Sequence, residues 1–187
     1  MSHHRKILMA SAGGVILTEL IPASGNWQGS TGSASLGTGT IDRSSLDKAI
    51  EQTAVYSSDV YWQGTFTDLR GRGSWGLYRN GESFNENEER GGMSSMTNSY
   101  WFKLPDQSFS GGAIMYGGAS QKSVTFANND VLLIQRVGST ITAYRNGSVE
   151  HAFSQTDSNA LRPVCGLGGN SSSGADTVVG SITLNYS

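Results

Sequence analysis

The densest acidic run in the sequence is Glu82 followed by Glu86-Asn87-Glu88-Glu89, set between Gly81 and Gly91-Gly92. Hydrolysis of a glycosidic bond needs two carboxylates about 5–10 Å apart, one as acid and one as nucleophile or base. This run lacks strand alternation and is bounded by turn residues, so it reads as a solvated loop. Glu86, Glu88 and Glu89 remain a weak candidate set for calcium. His3, His4 and His151 are the only histidines, and no G-x-S-x-G precedes a helical pattern, so Ser/His/Asp catalysis would rest on His151 alone. A phosphate-cradling G-x-x-x-x-G-K-[ST] is missing, and the lone Cys165 excludes an internal disulfide or a cysteine-rich zinc site. No cofactor is expected.

Binding is the better-supplied chemistry. Trp27, Trp62, Trp75 and Trp101, with seven tyrosines, offer flat faces to sugars or partner proteins. Trp62 and Trp101 are expected to pack a core. Trp75, between glycines in an arginine-rich stretch, is expected to be exposed with Arg70, Arg72 and Arg79 at one end of the fold, because Arg and Trp dominate binding hot spots.

The elements that must hold these residues are strands. "VYWQGTFTDL", "GSWGLY", "SYWFKL", "GAIMYGG", "KSVTFA", "LRPVCGLGG" and "TVVGSITLNY" alternate and are rich in β-branched and aromatic residues. Asn80-Gly81 carries a hairpin signal. In "DVLLIQRVGSTITAYRNGSVEHAF", Gly138-Ser139 suits a type II′ turn and Asn146-Gly147 a type I′ turn. They predict strands over 131–137, 140–145 and 148–153, with Ile134 opposite Ala143, Leu133 opposite Tyr144, and Tyr144 opposite Val149. One face then holds Leu132, Ile134, Ile141, Ala143 and Ala152. The other holds Val131, Leu133, Val137, Tyr144, Val149 and Phe153, crossed by Gln135, Thr142 and His151. Both faces are partly apolar, and the sequence does not distinguish the core side. "SSLDKAIEQT" fits a helical turn or a polar strand equally. The whole reads as about ten to twelve short strands in an all-β, two-sheet antiparallel jelly-roll sandwich with an N-terminal extension.

These strands resemble the concanavalin A-like sandwiches of the SPRY and laminin-G type. The resemblance rests on Asp130-Val131, on the hairpin Ser139 to Gly147, on Leu161 to Leu167, and upstream on "SSDVYWQGTFTDLRGRGSWGLY". It covers residues 54–187 of a sandwich domain expected over 41–187; Gln63 stands where the pattern often has Glu.

Residues 1–40 differ. Ile7, Leu8, Met9, Val15, Ile16 and Leu17 form an apolar segment that feeds the Gly/Ser/Thr-rich "ASGNWQGSTGSASLGTGT". This layout resembles bacteriophage fibre, spike or capsid decoration proteins, and it implies docking through those six residues on other virion subunits, a homo-oligomer, and a location in the virion. Gly13, Gly14 and Glu19 fit a secretory leader poorly. A net charge of −2 with 15% charged residues leaves no footprint for nucleic acid or an anionic membrane. The first functional expectation is therefore a non-enzymatic structural virion protein. The alternative is a carbohydrate-binding module for host-surface glycan, and a polysaccharide hydrolase comes third.

Overall fold

The structure, a computed structural model, describes residues 5–9, 16–29, 34–43, 48–69, 73–87, 92–105, 111–167 and 177–187. Within them lie sixteen strands and one 3-10 turn. They are β1 (Arg5–Met9), β2 (Ile16–Leu20), β3 (Trp27–Gly29), β4 (Ala34–Gly37), β5 (Thr40–Arg43), β6 (Lys48–Gln52), β7 (Val60–Leu69) and β8 (Gly73–Arg79). They continue as β9 (Ser99–Leu104), β10 (Gly112–Tyr116), β11 (Ala119–Val124), β12 (Asp130–Val137), β13 (Thr140–Arg145), β14 (Ser148–Thr156), β15 (Leu161–Leu167) and β16 (Thr177–Tyr186).

All pairings are antiparallel and they make two sheets. The first runs β1-β2-β16-β7-β12-β13-β14, with β5 also on β16 and β4 on β5; the second runs β11-β10-β9-β8-β15-β6-β3. The two-sheet antiparallel sandwich is as expected. The ambiguous "SSLDKAIEQT" contributes the strand β6.

The meander keeps its expected register: Ile134 faces Ala143, Leu133 faces Tyr144, and Tyr144 faces Val149. Asn146 at φ 53° and Gly147 at φ 79° both occupy the left-handed region that a type I′ turn requires. The turn is pinned from outside, since the Asn146 carboxamide donates to Asp130 at 2.7 Å and accepts from the Val131 N–H at 2.8 Å.

Leu132, Ile134, Ile141 and Ala143 face the core. The expected faces fail only in β14. A register shift opposite Ala143 and Tyr144 inserts an extra residue, so every later side chain changes side. Phe153 is therefore buried, and Ala152 is exposed. Asn80-Gly81 makes a tight turn, closed by the Glu82 N–H on the Arg79 carbonyl, but it does not join two paired strands. β8 instead pairs with β9, well beyond it in the chain.

The core is centred on two indoles from opposite sheets. Trp62 of β7 and Trp75 of β8 stack with centroids 4.1 Å apart and planes 10° from parallel. The Trp75 Nε1–H donates to the Trp62 carbonyl, and the Trp62 Nε1–H donates to the Val164 carbonyl, both at 3.3 Å. Gly64 permits this approach: a Cβ there would lie 2.9 Å from the Trp75 ring.

Strands β1 to β4 lie within residues 1–40. β1 pairs with β2 in the register Ile7–Thr18, Leu8–Leu17 and Met9–Ile16, and β2 pairs with β16 on its other edge.

Candidate ligand-binding face

The expected arginine–tryptophan patch lacks its anchor. Trp75 is fully buried, because alternation in β8 sends it inward with Leu77, and its flanking glycines serve close packing instead of a loop. Arg70 and Arg72 lie outside the described residues. Arg79 is one-third exposed, and its Nε–H donates to the buried Asp157 carboxylate at 3.0 Å. Burial opposes ionisation of Asp157, but hydrogen bonds from the Asn159 side chain and backbone, then from Arg79, outweigh it and hold the carboxyl below its ordinary value. Arg79 therefore serves as a clamp.

Of the weak calcium set, Glu88 and Glu89 lie outside the described residues, while Glu86 uses its carbonyl to accept the Ala49 N–H at 3.1 Å. Among the described residues no group of three or more His, Cys, Asp and Glu side chains gathers to hold a metal ion. His151 packs edge-on against Phe153 with centroids 4.8 Å apart, and burial, then the Lys122 charge, lowers its pKa. Val15 is outside the described residues; Ile7, Leu8, Met9, Ile16 and Leu17 take the backbone pairings given above.

The two outer faces of the sandwich differ. On the seven-stranded sheet, Tyr78, Trp101, Ala113, Met115 and Val164 form a buried apolar cluster with Met93 and Met96, against which Phe84 packs. The segment carrying those methionines is tied down. The Ser99 hydroxyl donates to the Met93 carbonyl at 2.7 Å, and Glu82 accepts from the Thr97 and Asn98 N–H groups at 3.2 Å. The Trp101 Nε1–H finds the Gly117 carbonyl at 3.0 Å.

On the nine-stranded sheet, period-two alternation turns Tyr61, Gln63 and Thr65 of β7 outward, together with Val131, Leu133, Gln135 and Val137 of β12. The register aligns them in rows. Thr183, Gln63, Leu133, Tyr144 and Val149 cross β16, β7, β12, β13 and β14; Asn185, Tyr61, Gln135 and Thr142 form the row beside it. At an interstrand spacing of about 4.8 Å, the first row is roughly 19 Å long. Tyr61, Gln63, Leu133, Gln135 and Tyr144 are all half-buried. Val137 at 43% and Val149 at 59% are among the few exposed large hydrophobic side chains.

The polar groups on this face are poised as donors. The Gln135 carboxamide donates to the Tyr144 hydroxyl at 2.9 Å, which leaves the phenol its own proton to give away. Burial, then the nearby Asp59 and Tyr144, raises the Tyr61 pKa, so that hydroxyl also keeps its proton. In the two rows above, the outward positions of β7, β12 and β13 are Gln, Tyr, Leu and Thr; the register also turns Asp68 outward, opposite Val178 farther along β7. Phenol rings, carboxamides and an aliphatic floor can stack on a sugar ring and bond its hydroxyls. The alternation behind this face was visible in the sequence; what was not visible was that this side is the one left open.

No protein-family model matches the chain, and no characterised protein matches its sequence. Solved structures do. The metal-free carbohydrate recognition domain of Emp46p superposes with TM-score 0.61 at 12% identity, covering 87% of this chain and 88% of that one. The SPRY domain of human HERC1 gives 0.56 at 15% identity, covering 87% and 95%. The Crh5 transglycosylase in complex with NAG gives 0.55 at 10% identity, covering 97% and 86%. The fold is a concanavalin A-like sandwich. At these identities the likeness speaks for fold alone.

Proposed function

We propose that this chain is a carbohydrate-binding module that holds an uncharged glycan on the outer face of its nine-stranded sheet. The observation that carries the proposal is the half-exposed row of Gln63, Leu133 and Tyr144, flanked by Tyr61 and Gln135, on the side of the sandwich not covered by Met93 and Met96. Carbohydrate recognition domains among the structural neighbours support the class of ligand.

The module binds without turnover. Two-carboxylate hydrolysis needs a pair of acids at the sugar, and the patch of Tyr61, Gln63, Leu133, Gln135 and Tyr144 supplies amides and phenols instead. The virion role expected from the layout of residues 1–40 draws no support from the structural neighbours, and the described strands in that stretch pair within their own chain.

The test is retention on a panel of immobilised neutral and anionic polysaccharides, with reducing ends assayed in parallel. Retention on a neutral polysaccharide, lost in Tyr144→Ala and without release of reducing ends, supports the proposal. Retention unaffected by Tyr144→Ala, or release of reducing ends, contradicts it.

A further inference from the structure

A pocket of about 460 Å³ opens at one end of the sandwich, where β2 and β16 finish beside the segment that follows β6. That volume falls within the range of small-molecule sites. Leu20, Asn26, Tyr56, Ser58 and Tyr186 line it, together with Val55, which is 37% exposed. The Tyr56 and Tyr186 rings lie 4.9 Å apart and tilted by 52°. Together they give the pocket an aromatic wall, and burial keeps the Tyr56 hydroxyl protonated.

The segment that shapes the pocket is held from behind. Arg136 of β12 is fully buried, and its guanidinium donates to the carbonyls of Tyr56, at 3.0 Å, and of Ser58 and Asn159. This cation is spent on the backbone, and the pocket lining contains no Asp, Glu, Lys or Arg.

We infer that this pocket is a second saccharide site, taking a single uncharged pyranose such as the terminal unit of a glycan. A pyranose has an apolar face for the tyrosine wall and hydroxyls for the Asn26 carboxamide and for the Ser58 oxygen, whose own proton goes to the Ser187 carbonyl. A carboxylate ligand would be desolvated there with no cation from the lining to meet it. The inference rests on the glycan-binding reading but uses different residues from the open face.

The experiment is amide chemical-shift titration of the full chain with neutral methyl pyranosides and with a methyl uronoside. It is run on the parent, on Val55→Trp, which plugs the rim at an exposed position, and on Tyr144→Ala. Shifts are expected around Val55, Tyr56 and Tyr186 with a neutral pyranoside. Affinity should fall by about tenfold or more in Val55→Trp and stay unchanged in Tyr144→Ala. Three results would overturn the pocket: no shifts there, unweakened binding in Val55→Trp, or equal binding of the uronoside. Polysaccharide retention separates the two readings. If Val55→Trp is retained while no pyranoside shifts the pocket amides, the pocket falls and the open face stands. If pyranosides bind the pocket while Tyr144→Ala is retained as well as the parent, the open face falls and the pocket stands.

Discussion

On one side of the sandwich, Trp101, Tyr78, Met115 and Val164 lie under Met93 and Met96; on the other, Tyr61, Gln63, Leu133, Gln135 and Tyr144 stand half-exposed, with Val137 and Val149 open to solvent. Both are outer faces of antiparallel sheets in one chain. The first is mainly apolar and, left bare, would be an aggregating patch, so the chain folds its own residues 92–96 across it. The second interleaves apolar and polar side chains along each row, which water tolerates, and it is left available. An outer face is thus closed by the chain when its composition demands it, and an open one marks where a ligand is expected.

The contrast predicts that stability resides in the covered face and affinity in the open one. Trp101→Ala removes a fully packed indole and its hydrogen bond to Gly117, and should cost about 3–5 kcal/mol in chemical denaturation. Met96→Ala, which loosens the cover without touching the sheet, should cost about 2 kcal/mol and raise hydrogen exchange at Met93 to Ser99. If either variant unfolds no more easily than the parent, the covered face is not a second core.

A perturbation belonging to neither face sharpens the comparison. The Asp157 carboxyl is held below its ordinary value, so it contributes stability that is complete above the unfolded-state pKa and is lost as pH falls through the lower folded-state value. Asp157→Asn should flatten that acid limb of the stability curve while glycan retention at neutral pH is unchanged. An identical acid limb in the variant would remove Asp157 from the account. The smallest stability effects belong to the open face. Val149→Ser should change stability by less than about 0.5 kcal/mol, since its side chain is already 59% exposed. A larger loss would show that Val149 is packed in solution.

Most of the sandwich was legible because turn chemistry and alternation are local. Asn146-Gly147 and Gly138-Ser139 carry their own backbone demands, and two-residue loops fix the register of everything between them. What was not legible depended on contacts between distant segments. The glycines around Trp75 suggest a loop; their actual role is to let backbones and rings approach, and only pairing with β9 and β15 and packing against β7 show it. At Gly76, for instance, a Cβ would lie 2.5 Å from the Tyr100 carbonyl. Asn80-Gly81 makes its turn, but a turn cannot state how far away the next strand begins. Phe153 changes sides because of an extra residue in β14 that no turn signal announces. The candidate face was hidden for a related reason: both sides of the meander are partly apolar, and only the position of the second sheet decides which becomes the core. Trp75 was expected at the surface because hot-spot composition says nothing about burial.

Glycan binding through the phenols of the open face, as proposed, is separable from the fold's stability. The most direct measurement is the affinity of the Tyr61→Ala/Tyr144→Ala double variant for the polysaccharide that best retains the parent chain, with thermal unfolding followed on the same samples. A loss of affinity of about tenfold or more is expected, with a stability change of about 1 kcal/mol or less. Undiminished affinity in a folded double variant would contradict it.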